Sequence, residues 1–174
     1  MQIKIEDLSA KQIINFFPPQ PLAPISSAIL SDVQNQVDNE FIKNILSIDG
    51  VQYCLITDIL IAIKYTDSNN ADDIKSLILA EIDDFINEKR ELISLVSPIK
   101  SLRLIEAIAD SFIRPTLNRD NGDIKIHDFS NGILNIQFTG HCAGCPYAQN
   151  TLNNVIAKTL LKYIPEIKSI SLKE

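Results

Sequence analysis

The tightest local constraint in the chain is the dipeptide Asn131-Gly132, which stands between two β-rich runs, Ile124 to Phe129 and Ile133 to Thr139. A two-residue hairpin turn needs positive φ at both central residues, and asparagine followed by glycine meets that need at low steric cost. The spacing predicts a hairpin. In its second arm Leu134, Ile136 and Phe138 alternate with Asn135 and Gln137, so one face should be buried and the other wetter. Upstream, Leu102, Ile105, Ile108, Ala109 and Phe112 recur at helical spacing and should share one face. Downstream, Leu152, Val155, Ile156, Leu160 and Tyr163 form the buried stripe of another helix, and Ile167 to Leu172 alternates as a last strand. The order α-β-β-α-β suits a small sheet with helices against one face.

The first ninety residues read as a second α/β unit. Ile13 to Phe17 is a short apolar run that stops at Pro18-Pro19, and Pro21 and Pro24 then keep the chain extended. Asn39 can cap a helix carrying Phe41, Ile42, Ile45 and Leu46, which should end at Asp49-Gly50. Val51 to Ile56 and Ile59 to Lys64, separated by Thr57-Asp58, predict a tight hairpin. From Ala71 to Arg90 the apolar positions Ile74, Leu77, Ile78, Ile82, Phe85 and Ile86 predict an amphipathic helix, with Asp73, Lys75, Glu81, Asp83 and Asp84 left for water. Glu91 to Ser101 has no sustained period. Its Leu92, Ile93, Leu95 and Val96 are too apolar for a freely solvated linker, so part of it should dock on a domain. The expected fold class is α/β (α+β) in two small domains, 1–90 and 102–174, joined by a linker at 91–101. Each domain is a small sheet packed against helices.

Composition narrows the function. The chain has 174 residues, 45% of them hydrophobic and 22% charged, which suits a buried core and excludes wholesale disorder. Its net charge of -6 argues against coating nucleic acid or an anionic membrane surface. No uncharged apolar run approaches the roughly 20 residues that span a bilayer. The amino terminus has neither an apolar secretory core nor an arginine-rich transit pattern, so a cytoplasmic protein is expected.

Three cysteines are too few and too odd in number for a disulfide framework. Two of them form the pair Cys142-Ala143-Gly144-Cys145, which Pro146 follows. Proline favours the first position of a helix, so Cys145 should lie at a helix start and Cys142 on the loop before it. Unpaired N–H groups there favour thiolate over thiol. Gly140 and Gly144 remove side chains on either side and let backbone amides approach sulfur. Such sulfurs can hold part of an iron–sulfur cluster, which usually takes four protein thiolates, or part of a structural zinc site. They can also act as a dithiol oxidoreductase, which needs only two. The pair alone does not choose among these. A thioredoxin-like enzyme would place its pair after a parallel strand in a βαβ setting, with aromatic residues alongside. Here the pair follows a hairpin arm, and the chain has no tryptophan.

Asp120-Asn121-Gly122-Asp123, the Cys142–Pro146 stretch, Thr151-Leu152 and Pro165-Glu166-Ile167 line up as one pattern. It resembles the NifU carboxy-terminal (Nfu) domain, which typically reads Asp-Gly-Gly-Asp, Gly-x-Cys-x-x-Cys-Pro, Thr-Leu and Pro-Glu-Val. The similarity covers roughly Leu102 to the end. Ile48-Asp49-Gly50-Val51, followed by a hairpin and a long helix, is similar to the Nfu amino-terminal domain. The resemblance implies an iron–sulfur cluster scaffold or carrier and not an enzyme in the turnover sense. It implies that Cys142 and Cys145 of two chains bridge one [4Fe-4S] cluster, or in second place a [2Fe-2S] cluster, at a homodimer interface. Its partners would be apo client proteins and upstream assembly proteins, in a bacterial cytosol or, after removal of a transit peptide, a mitochondrial matrix. Asn121 stands where the family has a glycine. Asparagine tolerates the left-handed backbone, so the turn should survive.

Other chemistry-bearing residues have plainer expectations. Cys54 lies in an apolar β run and should be a buried, inert thiol. His141 should be an exposed loop residue that tunes the site, and His127 a solvated or half-buried strand residue. Asp120 and Asp123 should be turn residues whose side chains bond the backbone.

Overall fold

The structure, a computed structural model, describes residues 2–66, 71–92, 97, 102–143, 150 and 152–173. It divides into two units, Met1–Ile99 and Lys100–Glu174.

The first unit is built on β1 (Lys4–Leu8), β2 (Ile13–Phe17), β3 (Ala28–Asp32), α1 (Glu40–Ser47), β4 (Val51–Thr57), β5 (Ile61–Tyr65) and α2 (Ala71–Asn87). Its strands form one antiparallel sheet in the order β1-β2-β5-β4-β3. The register stacks Phe16, Ile61, Ile56 and Ile29 in one row across the sheet, and Ile14, Ile63 and Cys54 in the next. With period-two alternation these rows lie on one face. They share a core with Phe41, Ile42 and Ile45 of α1 and Ile74, Ile78, Ile82 and Phe85 of α2. The rings of Phe41 and Phe85 are tilted, with centroids 4.3 Å apart, and join the two helices over the sheet. At about 1.5–3 kcal/mol per buried large apolar side chain, this layer dominates the unit's stability.

The helix ends follow local chemistry. Asn39 caps α1, its side chain accepting from Ile42 N–H at 3.2 Å. Helix α2 stops three residues before the expected Arg90 because Lys89 turns left-handed, with φ +54°. Lys89 N–H then donates to Ile86 and Arg90 N–H to Phe85, a Schellman closure that uses up the last carbonyls. The expected inward face of α2 holds except at Leu77, which is 52% exposed. The β4–β5 hairpin turns at Asp58-Ile59, one residue later than expected. Thr57 both donates its N–H to Leu60 O at 2.8 Å and accepts Leu60 N–H on its hydroxyl. Strands β1 and β3 had no signal in the sequence; both are edge strands, and β1 is largely solvent-facing. Of the segment expected as linker, Leu92 is fully buried and donates its N–H to Leu22 O. Ser97 accepts from Leu30 N–H, so both belong to the first unit. Ile93, Leu95, Val96 and Ser101 lie outside the described residues.

The second unit opens with α3 (Leu102–Ile108), which widens into a π-helical turn (Ala109–Ile113) and narrows again into α4 (Arg114–Asn118). Pro115 explains the widening: its ring would clash with the carbonyl one tight turn back, and a π turn gives it room. The wider turn also resets the helical phase. Within it Ser111 and Ile113 are buried and Phe112 only half-buried, and at the helix start Leu104 is buried and Leu102 exposed. The single face expected from the sequence therefore holds at Ile105, Ile108 and Ala109 and fails at its two ends. Strands β6 (Gly122–Ser130) and β7 (Ile133–Gly140) form the expected hairpin, with φ +52° at Asn131 and +82° at Gly132. A second π segment (Leu152–Ala157) and α5 (Lys158–Tyr163) lead to β8 (Ser169–Leu172), which pairs with β7 in parallel. The sheet order is β6-β7-β8.

Leu134, Ile136, Phe138 and Ile124 are buried, as are Ile156, Leu160 and Tyr163 of the last helix. Val155, expected in that stripe, is half-buried and, like Phe112, lies within a π segment. The last strand begins two residues later than expected and does not alternate in burial. Ile167, ahead of it, is buried, but Leu172 is 37% exposed because β8 is an edge strand. Among the described residues, no helix is long and apolar enough to cross a membrane.

Candidate cluster site

The cysteine pair begins where β7 ends. Gly140 and Gly122, the last residue of β7 and the first of β6, are register partners across the open end of the hairpin. Gly140 is left-handed, with φ +61°, and any Cβ there would run into the carbonyl oxygen of Asn121. That same oxygen accepts the N–H of His141 at 3.0 Å, and Gly140 O accepts the N–H of Ala143 at 3.1 Å. The two bonds close a tight turn whose third residue is Cys142. Asn121 has φ +54°, so it adopts the left-handed conformation expected of it.

Cys142 is half-buried, with exposed His141 and Ala143 on either side. Its Sγ lies directly over Gly122: a Cβ on Gly122 would overlap the sulfur and come within 3.2 Å of Cys142 Cβ. One flank of the thiol is therefore packed on backbone. Gly144, Cys145, Pro146 and Thr151 lie outside the described residues, so the expected helix start at Pro146 does too.

Beneath this turn is an ion network that the sequence reading missed. Arg114, its side chain only 8% exposed, pairs through Nη1 with Glu106 at 2.8 Å and Asp110 at 2.9 Å, and through Nε with Asp123 at 3.2 Å. Its Nη2 donates to Ile124 O at 3.2 Å. Burial disfavours the guanidinium charge, but Asp110, Glu106 and Asp123 outweigh it and hold the group above its ordinary value. Asp123 does bond the backbone, accepting Ile124 N–H at 2.8 Å, yet its carboxylate also faces Arg114. A signal was present: Glu106, Asp110 and Arg114 recur at four-residue steps along one helical run.

The remaining candidates are placed elsewhere. Cys54 is completely buried in β4, and burial pushes its thiol up to about 12, as befits an inert core residue. His127 is half-buried in β6 and shares a hydrogen bond with Gln137 at 3.2 Å. Among the described residues, no three His, Cys, Asp or Glu side chains are grouped so as to hold a metal.

The NifU-like domain family matches residues 105–171, nearly the whole second unit. The second unit is similar to a NifU-like domain. Similarity to whole proteins extends over both units. "NifU-like protein 4, mitochondrial" of Arabidopsis thaliana is 26% identical over 98% of this chain and 65% of its own length. "NFU1 iron-sulfur cluster scaffold homolog, mitochondrial" of Homo sapiens is 24% identical over 98% of this chain and 71% of its own. The chain thus spans about two thirds of the length of these relatives. The solution structure of a NifU-like protein from Saccharomyces cerevisiae is 18% identical over 55% of this chain and 87% of that chain, with a TM-score of 0.48.

One topological expectation is corrected. Strand β7 of the second unit is a hairpin arm, but it is also the first strand of a parallel β7–helix–β8 unit. The cysteine pair therefore does follow a strand in a βαβ setting. Strand topology does not separate a cluster site from a dithiol enzyme in this domain, because β7 has an antiparallel neighbour on one side and a parallel one on the other.

Proposed function

We propose that this chain is an iron–sulfur cluster scaffold or carrier. In our reading Cys142 and Cys145 from each of two chains hold one [4Fe-4S] cluster, or in second place a [2Fe-2S] cluster, and the cluster is the cargo handed to apoproteins. The carrying observation is the Cys142 turn. It presents a half-buried thiol with one flank on backbone, and the second cysteine is three residues further on. One chain offers two sulfurs in this motif, while a cluster wants about four. Two chains meeting at the turn complete the set. A cluster held on such a seam is released when the chains part, which is the lability a carrier needs. The scaffold name of the human relative and the NifU-like match of the second unit support this reading.

The protein does not turn over a substrate in this reading. The segment 102–174 is the cluster-binding domain, and 91–101 joins it to a first domain, 1–90, that meets clients or orients the carrier. The exposed Asp83, Asp84 and Glu88 of α2 and its end offer a negative face for basic partners. The workplace is a bacterial cytosol or a mitochondrial matrix, the latter in line with the names of the relatives.

Native mass spectrometry on protein reconstituted with iron and sulfide under argon tests this. The expected result is a dimer carrying one cluster, brown in colour with broad visible absorption. A monomer with a complete cluster, a zinc-loaded protein, or a colourless monomer that reduces insulin disulfides would each overturn it.

A further inference from the structure

Gly122 raises a question that its backbone does not answer. It lies in strand β6 outside the positive-φ region occupied by Gly50, Gly132 and Gly140, so conformation does not demand glycine there. Space does. A Cβ would overlap Cys142 Sγ and stand 3.2 Å from Cys142 Cβ and 3.4 Å from Cys142 N. The adjoining residue, Asp123, is clamped by Arg114, whose guanidinium also bonds Ile124 O and is anchored on the helical side by Glu106 and Asp110.

We infer that Gly122 is the seat of the Cys142 sulfur, and that Arg114, acting through Asp123 and Ile124, is the positioning residue that holds the seat in place. The chain of contact runs from the α3–α4 helical run to the start of β6, then to Gly122, then to the thiol. A ligand held this way reaches the metal already oriented, and less ordering is lost when the bond forms. The consequence for a cluster rests on the scaffold reading; the seat itself does not.

The test uses the full chain with Cys145→Ser, so that Cys142 is the reporting thiol and buried Cys54 the internal control. Alkylation by iodoacetamide, followed by mass spectrometry on apo protein, measures how closely the sulfur is held. Gly122→Ala should raise the Cys142 rate about tenfold by pushing the sulfur off the backbone. Arg114→Lys keeps the charge but cannot span four partners, and should raise it about threefold. Gly132→Ala, at the far end of the hairpin, should leave it unchanged, which separates a seat from general loosening. With both cysteines present, the reconstituted Gly122→Ala and Arg114→Lys proteins should lose colour to a chelator several-fold faster than the parent.

Alkylation rates of Gly122→Ala and Arg114→Lys equal to or below the parent, with circular dichroism intact, overturn the inference. So does a Gly132→Ala rate raised as much as theirs. Should Gly122→Ala fail to fold, the Arg114→Lys rate decides alone. If the rates rise as expected while the parent never takes up a cluster, the seat stands and the scaffold reading falls.

Discussion

Cys54 and Cys142 are both associated with β-strands of small mixed α/β units, and they could hardly be placed more differently. Cys54 sits mid-strand between Ser31 and Ile63, on the face that two helices cover, and has no exposure at all. Cys142 stands two residues past the end of β7, on a turn built from glycine and backbone hydrogen bonds. Burial takes away the solvation a thiolate needs, so the first sulfur stays protonated and packs as a small apolar group. A strand end leaves the second only half-buried, between exposed His141 and Ala143. The residue type is the same, and its position along the strand decides its chemistry.

The hardest challenge to this contrast is to remove each sulfur in turn. Cys142→Ala or Cys145→Ala should abolish cluster binding entirely while far-UV circular dichroism stays at the parent level, because a turn contributes little core. Cys54→Ala should keep the cluster, and loss of iron from that variant would show that the two sulfurs are not separate in role. Next in size, Phe85→Ala removes half of the Phe41–Phe85 contact and should destabilise the first unit by about 3–5 kcal/mol in urea unfolding. The iron content of the reconstituted protein should not change, since the proposed cluster site belongs to the other unit.

A smaller effect comes from pH. Cys54 is raised to about 12 in the folded protein from an ordinary value of 9.0. Below the ordinary value both states keep the proton and stability is full. Above it the unfolded chain releases a proton that the folded chain retains, so stability should fall, by up to about 1.4 kcal/mol per pH unit, as pH rises from roughly 9 towards 12. Urea midpoints at pH 8, 9 and 10 for the parent and Cys54→Val check this. The difference between the two proteins should shrink or reverse in favour of the valine as pH rises; a constant difference would count against a buried thiol. Smallest of all, Gly132→Ala should cost about 1 kcal/mol, from its φ of +82° and the close approach of Lys168 and Glu166 O. A stabilised variant would mean that the hairpin turn relaxes.

Much of the fold was legible. Asn131-Gly132 specified its hairpin, Asn39 capped α1, and the 3.6-residue spacing of Ile74, Ile78, Ile82 and Phe85 specified α2, because each of these signals acts over a few neighbouring residues. Strand β1 was not legible, since an edge strand buries too little to need an apolar pattern. The π segments were not legible either. They move Phe112 and Val155 off the stripe that an even α-helix would give them, and a helical phase is only as good as the turns before it.

The site divides in the same way. That two cysteines, flanked by glycine and followed by proline, should lie on a loop after a hairpin is written in local spacing, where backbone rules act on adjacent residues. That the sulfur of residue 142 rests on residue 122, twenty positions away, depends on the antiparallel register that pairs Gly122 with Gly140. That Arg114 braces the spot depends on a helix packing its charged fork against the start of a strand. Local propensity carries no information about which distant atoms will touch. Packing supplies it, because in a filled interior the place of each group follows from where all the others have gone.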